Sequence, residues 1–537
     1  MSLTVDTIPL RGVGSRQNPA NKNFSPSTPF LPASSRLTIM DSLSETLWDV
    51  VISGTGLQQS LLALALSRSG KNILHVDSNG YYGGSEAALS LQEADEWAER
   101  HQSAHLDGAF AAAQVTKAED GLSFSRAYSL ALAPQLIHAR SELLSQLVSS
   151  KAFRQIEFLA VGSFYIFQPP SASNASSTLV KIPSTREEVF ATKAISPRSK
   201  RSLMKFIKFV LEYELEPRTE VWKSKSTDEL AGFLESEFKL DGELKSFVTV
   251  LALSIDGKIS VEAGLAAIHR HLTSMGLFGR GFAAVYPKWG GLSEIAQVGC
   301  RAGAVGGAIY MLGTGLADVQ DLQGSDDAEL SVKLADGMHV RAKALVRGTT
   351  KPLPGDTIIT RLTVVVESTL ASMFESSMEN GPKPCVAVVG FPPGSIKGSG
   401  SSEFPIYAFV HSSDTGECPN GQSTIYLSTV ACAGSKDLLE EALSSLLKAA
   451  SSDQEQPKCL YRLSYEQRGG SGTLAVEDKI GTFAMAPLDL AFSDSVLSPV
   501  KEAWKLVVAG DTADDDETYM KFDDREGVVD DEDAFRG

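Results

Sequence analysis

Two glycines and an acid carry the clearest chemical signal in this chain: Gly54, Gly56 and Asp77. Gly54-Thr55-Gly56 follows the apolar run Asp49-Val50-Val51-Ile52-Ser53 and precedes an apolar stretch, Leu57 to Ser69, that Gly70 ends. Asn72-Ile73-Leu74-His75-Val76-Asp77 comes next. That order predicts a strand, a tight turn, a helix and a second strand ending in an acid, which is the β-α-β unit of dinucleotide sites. In such a unit Gly54 permits the turn and Gly56 lets a pyrophosphate approach the helix N-terminus, while Asp77 accepts from a ribose hydroxyl. The third glycine of the G-x-G-x-x-G pattern is replaced by Gln59. A partial motif of this kind is weak evidence for a bound cofactor.

The residues that follow bear on the same question. Amine-oxidase-like flavoproteins carry an arginine just before a Gly-Gly pair that follows the second strand. Here Asn79-Gly80-Tyr81-Tyr82-Gly83-Gly84 keeps the glycines, but Tyr82 stands at the arginine's place. Val507-Val508-Ala509-Gly510-Asp511 loosely resembles the late Gly-acid segment that contacts flavin, yet acidic residues follow it directly. The expected fold is therefore a flavoprotein-like mixed α/β domain of the FAD/NAD(P)-binding type, and the expected cofactor is none.

At 537 residues the chain exceeds one ordinary core, so two or three units are expected. Residues 1–44, rich in Ser, Pro and Asn, read as a disordered leader. Residues 45–183 and 281–510 read as one discontinuous α/β domain. Between them, 184–280 reads as an inserted all-helical domain, in which Leu203, Phe206, Ile207 and Val210 recur at helical spacing. From Asp511 onward 12 acidic residues face 3 basic ones, a net of −9 out of −17, and this reads as a solvated acidic tail. The negative charge argues against nucleic acid as a partner. Five scattered cysteines without a C-x-x-C pair suit free thiols in a reducing compartment and exclude an obvious zinc site, and no metal is expected. With no bilayer-length apolar run, no secretory signal and no C-terminal cysteine to prenylate, a cytoplasmic protein with only transient membrane contact is expected.

Several blocks in order resemble the family of GDP-dissociation inhibitors and Rab escort proteins. They are Trp48-Asp-Val-Val-Ile-Ser-Gly-Thr-Gly-Leu, Gly70-Lys-Asn-Ile-Leu-His-Val-Asp, Tyr81-Tyr82-Gly83-Gly84, Lys181-Ile-Pro-Ser-Thr, Tyr286-Pro-Lys-Trp-Gly-Gly and Gly306-Gly307-Ala-Ile-Tyr-Met311. The resemblance is clear over roughly residues 48–315 and weaker beyond. It implies a non-catalytic platform for GDP-bound Rab GTPases, with Tyr82, Glu294, Gln297, Arg301 and Met311 in contact. Glu294, Gln297 and Arg301 stand at i, i+3 and i+7, offsets that share one helical face. The alternative for such a stripe is an ordinary solvated face. Compared with the family pattern, one residue is added before Glu294 and one is missing after Arg301, so the start of that helix is open to a shift.

Within the family, escort proteins also dock the Rab geranylgeranyltransferase α/β heterodimer. The resemblance assigns that contact to Phe190 and Arg201, against the alternative of a core phenylalanine and a solvated arginine. The length and the acidic extension lean the same way, so a Rab escort protein is the first expectation. A GDP-dissociation inhibitor that only extracts and recycles Rab is the second, and a flavin amine oxidase-like oxidoreductase is a remote third. A carrier is needed because each methylene of a geranylgeranyl chain gains about 0.8 kcal/mol on burial. The helical segment 184–280 is the expected lipid holder.

Overall fold

The computed structural model describes residues 43–524, apart from 105–107, 171–175, 184–195, 241, 280, 323–328, 350, 352, 354, 377–380, 397–402, 452–455 and 510–517. The β-α-β unit forms as expected: β1 (Leu47–Ser53), α1 (Leu57–Leu66) and β2 (Ile73–Asp77). Val50, Val51 and Ile52 are wholly buried, because the strand is covered on both faces. The helix Leu292–Val305 (α2) leads into β3 (Ile309–Leu312), and β4 is His339–Gly348. The parallel order β3-β2-β1-β4 continues into an antiparallel hairpin, Glu329–Leu334 and Leu316–Leu322. α1, α2 and the helix Leu497–Val508 cover one face of this sheet, and a cluster around Trp48, Val51, Leu74 and Val340 lines the other.

A second, ten-stranded sheet runs through Phe158–Gln168, Thr357–Val366, Ile406–Ser412, Ser423–Val430 and Cys459–Gly469. Five helices between residues 197 and 274 pack on one of its faces, and Ser435–Ala450 packs on the other. The first of the five begins at Pro197, where the Ser196 hydroxyl accepts from the Ser199 amide and proline needs no amide partner. Its buried side are Leu203, Phe206, Phe209 and Val210, with Phe206 and Phe209 ring-packed on Phe238 at 5.2 and 4.9 Å. The interior of this helical layer is thus filled by aromatic and aliphatic side chains of its own.

Some elements differ from expectation. The pattern over 133–150 suggests helix throughout, but Ile137–His138 is a short strand and the helix spans only Glu142–Ser149. Ile137 pairs with Val285, so sheet pairing overrides local propensity there. The acidic composition after Asp511 predicts a solvated segment, yet Thr518 to Asp524 packs on the body. Tyr519 and Met520 are buried, and Tyr519 meets Trp504 edge-on at 5.4 Å.

Candidate functional site

The turn between β1 and α1 has the backbone of a pyrophosphate site, with Gly54 at φ +96°. Its polar groups are already used within the chain. Asp77 Oδ2 accepts from the Thr55 amide at 2.7 Å and the Thr55 hydroxyl at 2.6 Å. Oδ1 accepts from the Asn79 amide at 2.8 Å and the Asn79 side chain at 3.1 Å. At the start of α1, where a pyrophosphate would sit, the Leu57 amide donates to Glu86 Oε2 at 3.0 Å. Glu86 is buried, and burial raises its carboxyl above the ordinary range against the pull of the Leu57 amide and the Ser85 hydroxyl. The Gln59 side chain folds over the same turn. A Cβ on Gly54 would stand 3.4 Å from its Nε2, and one on Gly56 would stand 3.1 Å from its Oε1.

A cleft of about 600 Å³ opens beside this turn, bordered by Gly56, Gln59, Asp77, Glu86 and Arg361. Its residues do not fit a dinucleotide. A carboxylate fills the helix N-terminus, a glutamine covers the glycines, and the acid that would hold a ribose is saturated. The motif residues Gly54, Gly56, Asp77, Gly83 and Gly84 are tied together within the chain, since Asp77 accepts from Thr55 and the Gly83 amide closes onto the Thr55 carbonyl and hydroxyl, both at 3.1 Å. Gly510 and Asp511 lie outside the described residues.

This arrangement makes a graded prediction. Glu86→Ala orphans the Leu57 amide and should cost about 1–2 kcal/mol. Glu86→Gln keeps an oxygen acceptor and removes a buried charge, so it should match or exceed the parent at pH 7. Because the folded pKa is raised, the parent's penalty is complete above it and fades as the pH falls from there toward the ordinary value of 4.5, below which it is gone. The advantage of Glu86→Gln should shrink over that same interval. Thermal melts of the three proteins from pH 7 to pH 5 check this, and equal stability of the alanine variant would refute the capping role.

The helix α2 settles the open question of where the charged stripe begins. Gly290 and Gly291 adopt φ of +118° and +67°, and the helix starts at Leu292. Side chains are excluded at both glycines. A Cβ at 290 would lie 2.3 Å from that of Ala88, and one at 291 would lie 2.8 Å from the Tyr286 hydroxyl. Glu294 therefore falls in the first turn, where a carboxylate suits the helix dipole. Glu294 and Gln297 are half-buried and Arg301 is exposed. Burial raises the Glu294 carboxyl, and Arg301 pulls it back. Gln297 donates to the Ser293 hydroxyl at 3.3 Å, and Arg301 Nη1 donates to Gln155 Oε1 at 3.3 Å.

Tyr82 is half-buried and meets Tyr310 edge-on at 6.2 Å, while Tyr310 packs on His75 at 4.7 Å. Burial raises the Tyr82 hydroxyl, and it lowers the His75 imidazole to about 4. Met311 packs instead on the opposite cluster around Leu74 and Val76, so it is set apart from Tyr310. Arg201 is exposed on the helix Pro197–Leu211, and Phe190 lies outside the described residues.

A buried polar centre that holds this region escapes sequence reasoning. Glu417 is wholly buried and accepts from the Tyr286 hydroxyl at 2.7 Å and the Tyr426 hydroxyl at 3.1 Å, with His411 Nδ1 at 2.7 Å. Tyr286 opens the Tyr-Pro-Lys-Trp-Gly-Gly bend into α2. The next turn holds the bend from outside: the Trp289 amide donates to the Thr415 carbonyl at 2.9 Å.

The model of the family described as GDP dissociation inhibitor matches residues 43–351, more than half of the chain. The chain belongs to the GDP dissociation inhibitor family. A relative in Saccharomyces cerevisiae called Rab proteins geranylgeranyltransferase component A is 30% identical over 450 residues, covering 81% of this chain and 70% of that one. Among solved structures, a Rab GDI from Plasmodium falciparum superposes with a TM-score of 0.61 at 18% identity, covering 86% of this chain and 98% of that one. An oxidoreductase from Methanosarcina mazei gives a TM-score of 0.54 at 14% identity, over 85% and 99% of the two chains. Both likenesses concern the fold, and they place this family member on the flavoprotein-like architecture that its β-α-β unit suggests. Among the described residues no helix is long and apolar enough to cross a membrane.

Proposed function

We propose that this chain is a Rab escort protein. It binds GDP-bound Rab GTPases, presents them to the Rab geranylgeranyltransferase α/β heterodimer and carries the prenylated product to membranes. It performs no chemistry itself and works in the cytosol. The observation that carries this reading is the match to the yeast protein called component A of that transferase, which extends over 81% of the chain. The geometry is in keeping with it. Glu294, Gln297 and Arg301 present one polar face whose guanidinium can bind a carboxylate in two-point fashion, and the dinucleotide turn is satisfied by the chain's own groups. In this reading Tyr82 and, from the other side of the sheet, Met311 also contact the Rab GTPase, and Phe190 and Arg201 meet the transferase. The lipid lies against the helices of residues 197–274, where Leu211 and Leu215 are exposed.

A plain Rab GDP-dissociation inhibitor is the second reading, favoured by the fold shared with the Plasmodium protein over 98% of its length. Reconstitution separates the two. Geranylgeranyl transfer to GDP-loaded Rab should require this chain, and equal transfer without it sinks the escort role. Phe190→Ala should abolish docking to the transferase and leave Rab binding intact; under the second reading it changes nothing. Arg301→Glu should weaken Rab binding about 30-fold, roughly 2 kcal/mol for a truncated interfacial charge pair, without lowering the melting temperature of an exposed site.

A further inference from the structure

A cationic groove lies beside the charged face of α2. It encloses about 240 Å³ and is bordered by Arg68 next to α1, Lys151 and Arg154 of the turn after Glu142–Ser149, and Arg301. Phe522 and Asp524, from the acidic segment that the proposed function leaves unused, border the same groove. They are seated by specific contacts. The Phe522 amide donates to the Ser149 carbonyl at 3.0 Å, and the Arg68 guanidinium lies 4.7 Å over its ring. Arg68 also donates to the Asp523 carbonyl. Asp524 accepts from Arg154 at 2.8 Å and pairs with Lys151 at 3.7 Å. Gln155, adjacent in sequence to Arg154, is the residue that accepts from Arg301.

We propose that this cationic surface is a docking site for an acidic peptide with an aromatic anchor, that the chain's own segment Thr518–Asp524 is seated on it and walls one side of the groove, and that this seating competes with a Rab GTPase for the face containing Arg301. The inference rests on the Rab-binding reading above. The chemistry is complementary: four cationic side chains border the groove, an aromatic ring stacks on one of them, and a carboxylate bridges two more. The ion pairs are a third or more exposed, so each is weak and salt-sensitive. Weak, multiple contacts suit a segment that must leave. The firm anchor is upstream, where Tyr519 and Met520 are buried near Trp504, so release of Phe522 to Asp524 need not unfold the body. In the sequence, Glu526, Asp530, Asp531, Glu532 and Asp533 follow these residues, against Arg525 and Arg536.

The test uses the full chain and a Phe522→Ala/Asp524→Asn variant, which leaves Tyr519 and Met520 in place. Each is titrated with a fluorescent GDP-loaded Rab at low and high salt. If the closed form predominates, the variant should bind about 3–10-fold more tightly at low salt, because apparent affinity scales with the open fraction. The gap should narrow as salt rises. A synthetic peptide of residues 518–537 added to the variant should reverse the gain, and a peptide with its acids replaced by amides should not. Equal or weaker Rab binding by the variant, or no effect of the acidic peptide, overturns the inference while the Rab-binding reading stands. Failure of both chains to bind Rab instead removes that reading and the inference with it.

Discussion

Replacing Glu417 by alanine is expected to destabilise the protein by about 3–5 kcal/mol, since three buried partners lose their acceptor together at roughly 1–3 kcal/mol each, less what relaxation recovers. Tyr286, Tyr426 and His411 have no solvent to turn to, as all three are buried and their rings pack around one another at 4.6–5.0 Å. Burial already holds both tyrosine hydroxyls well above their ordinary pKa, so neither can ionise to compensate. Glu417→Gln keeps one acceptor oxygen and lets a phenol accept from the new amide, so a smaller loss, about 1–2 kcal/mol, is expected. The consequence reaches the site because Tyr286 is the first residue of the bend that launches α2. Chemical denaturation of the three proteins decides the matter. A midpoint for Glu417→Ala that stays with the parent would show the cluster to be incidental to the fold.

That cluster also marks where sequence reasoning ends. Tyr286 and Glu417 lie 131 residues apart, and no periodicity or motif links a tyrosine in one strand to a glutamate in a distant turn. The unit β1-α1-β2 is legible because it is local: a buried apolar strand, glycines where the turn needs them and an acid at a strand end. The stripe Glu294, Gln297 and Arg301 is legible for the same reason, and the glycines at 290 and 291 fix its start by excluding side chains. Ser423–Val430 and Cys459–Gly469 are harder to see. Inward-facing Ser428 and Gln467 interrupt their apolar pattern because both bond the buried Arg361, at 3.1 and 2.6 Å. Gln59 reads as a lost glycine, and Glu86 reads as nothing at all. Only the fold shows one covering the turn and the other capping it.

Gly299→Val is expected to cost about 3 kcal/mol or more, at the upper end for overpacking, because the obstacle is backbone rather than side chain. α2 crosses α1 on glycines. A Cβ at Gly299 would stand 2.5 Å from the Ser60 carbonyl oxygen, and one at Gly306 would stand 2.1 Å from that of Ser67. Neither oxygen can rotate away, so the helices must separate and forfeit the packing of Ile295 and Val298 on the Leu57–Leu66 layer. Gly303 is the informative contrast. Its Cβ would meet the Tyr310 hydroxyl at 2.7 Å, the end of a side chain that can shift, so Gly303→Ala should cost only about 1 kcal/mol. Ala304 is exposed on the same helix, and Ala304→Val should stay within about 0.5–0.7 kcal/mol, the helix-propensity difference. Since α2 carries Glu294, Gln297 and Arg301, the face proposed to meet Rab, Gly299→Val should lose Rab binding together with stability, whereas Arg301→Glu should lose binding alone. Paired melting and binding measurements distinguish the two patterns. If Gly299→Val keeps the parent's stability, the close crossing of α1 and α2 does not hold the charged face in place.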